Sequence, residues 1–195
     1  MNYRPALDKA RRDFARKDPA VMARDCGALW DAAGKKLRLD FLNETVEVSY
    51  PDGSPRPRLI DPHAILVLHY LARAGGVRLA GRRISFKEVP GGEVYLGPYY
   101  HRVLRPLATT FGARPELFAR AVEALGGEGE SLGDLAATFR VLPRFPVTAV
   151  IWLGDDEIAP SATVLYDATA PVYLPTEDVV VAASALVYAL LAAVR

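Results

Sequence analysis

The sequence predicts an α+β fold with a mainly antiparallel sheet packed against helices, and three observations lead there. Apolar residues recur at helical spacing near both ends of the chain, over residues 3–16 and 179–194. Strand signals fall in two separate blocks, residues 37–50 and 140–166. Helices separate these blocks without the regular strand–helix alternation that a parallel sheet requires.

The elements follow in order. Leu7, Ala10 and Phe14 stand three and four residues apart with charges between them, so residues 3–16 form an amphipathic helix. Asp18-Pro19 reads as an N-cap with proline in the first turn, opening a short helix that Gly27 ends. Leu37, Leu39 and Phe41 alternate with charged residues, and residues 45–50 are a strand-forming run stopped by Pro51-Asp52-Gly53. With Asn43 and Glu44 between the two, an antiparallel hairpin is expected. Residues 51–60, carrying three prolines, read as a surface connection.

Asp61-Pro62 repeats the cap signal for a helix over 63–74, closed by Gly75-Gly76. Its run Ala64 to Leu68 is apolar almost all round, which makes it central. Residues 82–89 form a strand or extended loop ending at Pro90-Gly91-Gly92. The chain is helical from about Tyr99 to Phe111, kinked or restarted by Pro106, and a further amphipathic helix spans 115–125. Residues 140–142, 147–153 and 163–166 are strands, the last two joined across Gly154-Asp155-Asp156, and Thr176-Glu177-Asp178 caps the final helix.

Composition bounds the function. A chain of 195 residues, 51% hydrophobic and 24% charged, builds one core spanning residues 1–195 as a single domain and needs no metal to fold. Cys26 is the only cysteine, so no internal disulfide forms; that fits a reducing compartment, and a cytoplasmic location is expected. The N-terminus carries no apolar segment of a secretory signal. The uncharged residues 179–194 include six alanines and fall short of the roughly 20 apolar residues of a membrane span. They read as a buried C-terminal helix, with a homodimer through that helix as the alternative. The net charge of +1 argues against nucleic acid as a partner. It is unevenly placed: residues 56–105 hold nine Arg/Lys against three acids, and residues 106–195 hold five against eleven.

The basic loop of residues 81–92 is the first candidate site. Arg82 and Arg83 carry guanidiniums that fork onto carboxylate or phosphate oxygens, and Lys87 adds a point charge. If residues 84–88 are extended, Arg83, Ser85 and Lys87 share one face, while Ile84 and Phe86 share the other. Gly91 and Gly92 would let backbone amides approach an anion. The expected partner is an anionic small molecule or an acidic protein surface. A solvated strand face followed by a tight turn accounts for the same residues, and the Gly-Lys-Ser/Thr ending of a phosphate-binding loop is absent.

The histidines offer the alternative. His63 and His69 lie about 240° apart around a helix and cannot chelate one metal from it. His69, in an apolar run beside Tyr70, fits a buried imidazole bonded to a backbone carbonyl. It also fits a small enzyme in which His69 or His101 works with Glu88, Glu177 or Asp178 in acid–base chemistry. Glu177 and Asp178 complement the dipole of the last helix, and they could also meet Arg82 and Arg83, in a site or in a purely structural salt bridge. Cys26 reads as a small buried hydrophobe, Asp155-Asp156-Glu157 as turn formers, and no metal site is expected.

Three phrases together, residues 65–71 (Ile-Leu-Val-Leu-His-Tyr-Leu), 84–92 (Ile-Ser-Phe-Lys-Glu-Val-Pro-Gly-Gly) and 173–178 (Tyr-Leu-Pro-Thr-Glu-Asp), resemble the DUF3786 family over nearly the whole chain. That is a domain of unknown function found in bacteria and archaea, chiefly anaerobes. Some similar proteins carry a cysteine-rich iron–sulfur segment ahead of the domain, so the resemblance implies an anaerobic redox or metallocofactor context. A cluster usually takes four cysteines, and this chain has one, so it cannot hold an iron–sulfur cluster alone; no cofactor is expected. The favoured expectation is a cytoplasmic accessory or binding domain that engages an anion through Arg82, Arg83 and Lys87.

Overall fold

The computed structural model describes residues 2–195. Helix α1 (Arg4–Ala15) buries Ala10 and Phe14 and leaves its charges outward. Helix α2 (Pro19–Cys26) opens as expected: the Asp18 carboxylate accepts from the amides of Ala20 at 2.9 Å and Val21 at 3.0 Å. Gly27 ends it at φ 77°, a left-handed conformation that glycine adopts without strain.

The first sheet is antiparallel in the order β1 (Leu29–Asp31), β2 (Lys36–Phe41), β3 (Glu44–Ser49), β4 (Ser54–Arg56). Leu37, Leu39 and Phe41 of β2 face the core while the charged residues between them face solvent. The hairpin turn falls one residue earlier than the sequence suggests. Glu44 pairs with Phe41, leaving Leu42-Asn43 as the connection, with Leu42 at φ 55°. Residues 51–60 are not wholly connection either, since β4 adds an edge strand in which Pro55 is tolerated.

Helix α3 (Asp61–Arg73) is central, burying seven residues from Ala64 to Leu71. Asp61 is its first helical residue rather than a side-chain cap; Ile60 holds the cap position. After α3 the chain forms the short strand β5 (Arg83–Ser85), then 3₁₀ turns at Phe86–Glu88 and Gly92–Tyr95. Helix α4 (Leu96–Tyr99), a wide π turn (Tyr100–Leu104) and helix α5 (Arg105–Phe111) follow, with Pro106 in the first turn of α5. Helix α6 (Pro115–Ala124) precedes the second sheet.

That sheet runs β5–β9–β8–β7–β6, again antiparallel, with β6 (Glu128–Gly129), β7 (Leu135–Leu142), β8 (Phe145–Trp152) and β9 (Ser161–Asp167). β7 begins five residues before the strand signal. Ala136 and Ala137 have weak strand propensity, and pairing with Val150 and Ala149 of β8 overrides it. Helix α7 (Ala170–Tyr173) leads into α8 (Thr176–Ala192), which is buried over ten positions and packs on α3. Its apolar surface is largely covered within the chain, with Tyr188 exposed.

The fold is therefore α+β with two antiparallel sheets and the apolar C-terminal helix in the core. The buried apolar residues of both sheets and the packed helices form one contiguous cluster. Among the described residues no helix is long and apolar enough to cross a membrane.

Candidate functional site

Helix α3 is apolar around most of its circumference, but His69, Ala72 and Arg73 stand at three- and four-residue spacing on its one polar stripe. That stripe faces the end of α1 and the first turn of α8. Asp178, third residue of α8 and only 9% exposed, points back at α3, and its Oδ2 lies 2.6 Å from His69 Nδ1. The sequence expectation of a backbone carbonyl partner for His69 gives way to this carboxylate. With Nδ1 engaged by Asp178, Nε2 is the ring nitrogen left free, and the imidazole stays 28% exposed.

The histidine lines a cavity of about 740 Å³. Lys9, Asp13 and Arg16 share one face of α1 and its end, Lys17 follows, and Arg73 closes the opposite wall. Lys9 is bound to Asp13 at 2.6 Å. That hydrogen bond, helped by Arg16 and His69, holds the Asp13 carboxyl below the ordinary aspartate value. Arg16, Lys17 and Arg73 take part in none of the ion pairs among the described residues. The cavity thus carries four cations against one lining carboxylate, with a hydrogen-bonded imidazole among them. Such a field concentrates anions, and the imidazole supplies a group able to exchange a proton with one.

The basic loop is not extended over residues 84–88 as the sequence suggests, so Lys87 does not continue a strand face with Arg83 and Ser85. The chain leaves β5 at Phe86 because Ser85 and Glu88 form a reciprocal cap: the Glu88 carboxylate accepts from the Ser85 amide at 2.7 Å and hydroxyl at 2.9 Å. Arg83 is engaged by Glu130, while Arg82 and Lys87 are exposed. The Gly92 amide donates to the Val89 carbonyl at 2.8 Å, and Gly91 sits at φ 74°. Glu177 and Asp178 do not meet Arg82 or Arg83. Glu177 accepts from the Tyr95 hydroxyl, Asp178 is held by His69, and the Thr176 hydroxyl donates to the Pro90 carbonyl rather than capping α8.

The base of this loop is clasped by Asp167, whose carboxylate accepts from the amides of Ala80, Gly81 and Thr169 and from the Thr169 hydroxyl. Burial pushes this carboxyl up, but the four hydrogen bonds outweigh burial and hold it below the ordinary aspartate value. A carboxylate held down in the folded state stabilises the fold above the unfolded value of about 4, and that contribution is lost as pH falls through the folded value. Asp167→Asn is expected to lower stability by about 1–2 kcal/mol at pH 7. In urea denaturation its deficit should shrink below pH 4; a deficit independent of pH would contradict this role.

His101 lies on the π turn, exposed and edge-on to Tyr100, and His63 packs on Phe41 with burial pushing its imidazole down. Neither joins His69. The Cys26 thiol is 0% exposed, and burial pushes it up to about 11, which fits neither a nucleophile nor a ligand of an iron–sulfur cluster. No group of three or more metal-ligating side chains suited to an ion is found among the described residues.

Of the sequence candidates, the fold brings together His69 and Asp178. The cations of α1 and Arg73 give no distinct signal in the sequence, because charges at helical spacing look like any solvated face; only the packing of α1 on α3 gives them a common target. No curated protein and no solved structure matches the chain. The family model for a domain of unknown function, DUF3786, matches residues 18–189, a span that holds His69, Arg73 and Asp178 and begins after α1. With all but the two ends of its length matched, the chain belongs to the DUF3786 family.

Proposed function

We propose that this protein binds an anionic small molecule in the cavity between α1, α3 and the start of α8. The observation that carries this reading is the convergence of Arg16, Lys17 and Arg73, free of ion pairs among the described residues, around a cavity of about 740 Å³. That volume suits a small ligand, and a charge-assisted contact to an anion is worth about 1.5–3 kcal/mol. The buried, unpaired Cys26 supports a cytoplasmic location. An accessory role in an anaerobic redox or metallocofactor setting is supported by the family's associations alone.

Inorganic pyrophosphate is the probe. Titrated into the full chain at pH 7 and followed by amide NMR, it is expected to shift residues 9–17, His69 and Ala72. Arg73→Glu, which breaks no ion pair among the described residues, is expected to weaken binding at least tenfold, about 1.4 kcal/mol. Shifts confined to Arg82 and Lys87 would move the site to the basic loop, and no shifts at all would end the proposal.

The pairing of His69 with Asp178 favours a second reading, a small enzyme acting on the bound anion. A carboxylate on Nδ1 fixes the tautomer and leaves Nε2 to take or give a proton, an effect worth about 10²–10⁴-fold in rate. His69→Gln would then abolish turnover of a phosphate-ester or carboxylate panel, read by mass spectrometry, while pyrophosphate still binds. A role in binding alone predicts no turnover by the parent protein.

A further inference from the structure

A second cavity, of about 480 Å³, lies against the basic loop and has a different chemistry. Phe86 and Tyr99 stack with their ring centres 4.0 Å apart and their planes 8° apart, and Leu96 and Leu104 add aliphatic walls. Beneath them the hydroxyls of Tyr99 and Tyr166 share one hydrogen bond at 2.8 Å, and burial keeps both phenols protonated. This wall is therefore uncharged. The cavity is flanked by the π turn at Tyr100–Leu104; such turns occur frequently at functional sites.

Its polar lining is limited to Ser85, Lys87, Tyr100 and Thr163. The Ser85 hydroxyl is committed to Glu88. Lys87, the lone cation in the lining, takes part in no ion pair among the described residues. Walls of apolar carbon with a single free ammonium at the edge disfavour a polyanion, whose further charges would be desolvated without a cationic partner. They suit a ligand with one negative charge and an apolar body, and the volume lies within the range of small-molecule sites.

We propose that this cavity binds an amphipathic monocarboxylate, its apolar body between Phe86, Leu96 and Leu104 and its carboxylate on Lys87. The basic loop then acts through Lys87 and the aromatic wall behind it, not through amides of its glycine pair. This site does not rest on the α1–α3 cavity, and either can fail without the other.

Octanoate and its neutral analogue 1-octanol are the probes, titrated into the full chain at pH 7 and followed by amide NMR. Octanoate is expected to shift residues 85–87, 96–104 and 163–164 and to bind at least tenfold more tightly than octanol. Lys87→Met, an exposed position, is expected to weaken octanoate about tenfold and leave octanol unchanged. Leu104→Trp, which fills the cavity, is expected to block both. Equal binding of acid and alcohol overturns the proposal, as does octanoate affinity indifferent to Lys87. Octanoate shifts confined to His69 and Arg73 would assign it to the other cavity and also overturn the proposal. Should Leu104→Trp fail to fold, the Lys87→Met comparison decides alone.

Discussion

Tyr70→Phe is expected to lower the stability of the fold by about 2–4 kcal/mol, although it removes a single oxygen. Tyr70 is fully buried on α3, and burial pushes its phenol far up, so the hydroxyl is neutral under all native conditions. It donates to the Cys26 carbonyl at 2.7 Å and accepts from the Arg144 amide at 2.8 Å. One hydroxyl thus joins the end of α2 to the β7–β8 turn through the central helix. Phenylalanine leaves both backbone groups without this partner in a largely buried region, at about 1–2 kcal/mol each. For a domain of this size, thermal melting should fall by about 5–15 °C. Tyr95→Phe is the control: its hydroxyl meets Glu177 at the surface, and its loss should change stability by less than about 1 kcal/mol. Equal melting of the two variants would show that the Tyr70 hydroxyl does not tie α2 to the β7–β8 turn.

Tyr70 also marks the line between what the sequence makes legible and what it does not. Local chemistry reads well: Asp18 with its proline and Gly27 with its left-handed φ act within a few residues of themselves, and α2 begins and ends where they stand. The fold class reads well for a related reason, since the period of the apolar residues is a local property and the antiparallel pairing follows from short connections. Contacts over long separations do not. His69 and Asp178 are 109 positions apart. The sequence offers two histidines and three carboxylates as partners, and the burial of α8 against α3 is what selects this pair. Thr176 shows the converse failure. Its position promises a cap, but its hydroxyl is taken by the Pro90 carbonyl, a partner 86 residues away. Lys9, Arg16 and Lys17 carry no local signal that separates them from Arg4 or Arg12, and the packing of α1 alone turns them toward a cavity.

The glycine pair of the basic loop should respond very unequally to alanine, and Gly92→Ala is expected to be the costly change. A Cβ at Gly92 would run into the Phe86 carbonyl oxygen, well inside contact distance, and that oxygen belongs to backbone rather than to a flexible side chain. Phe86 has little room to move away, because its ring is buried and stacked on Tyr99. Relief therefore requires the 3₁₀ turn itself to shift, at about 2–3 kcal/mol. At Gly91 an added Cβ meets nothing within 4 Å, and the cost is only that of holding alanine at φ 74°, about 1 kcal/mol. Urea denaturation of the two variants separates a packing constraint from a conformational one. The consequence reaches α8, since Pro90 is bonded to Thr176 and Tyr95 to Glu177, on the turn that presents Asp178 to His69. Gly92→Ala should accordingly shift the NMR signals of the His69 imidazole, while Gly91→Ala leaves them in place. Equal costs at the two positions would show that the loop does not depend on the close approach of Gly92 to Phe86.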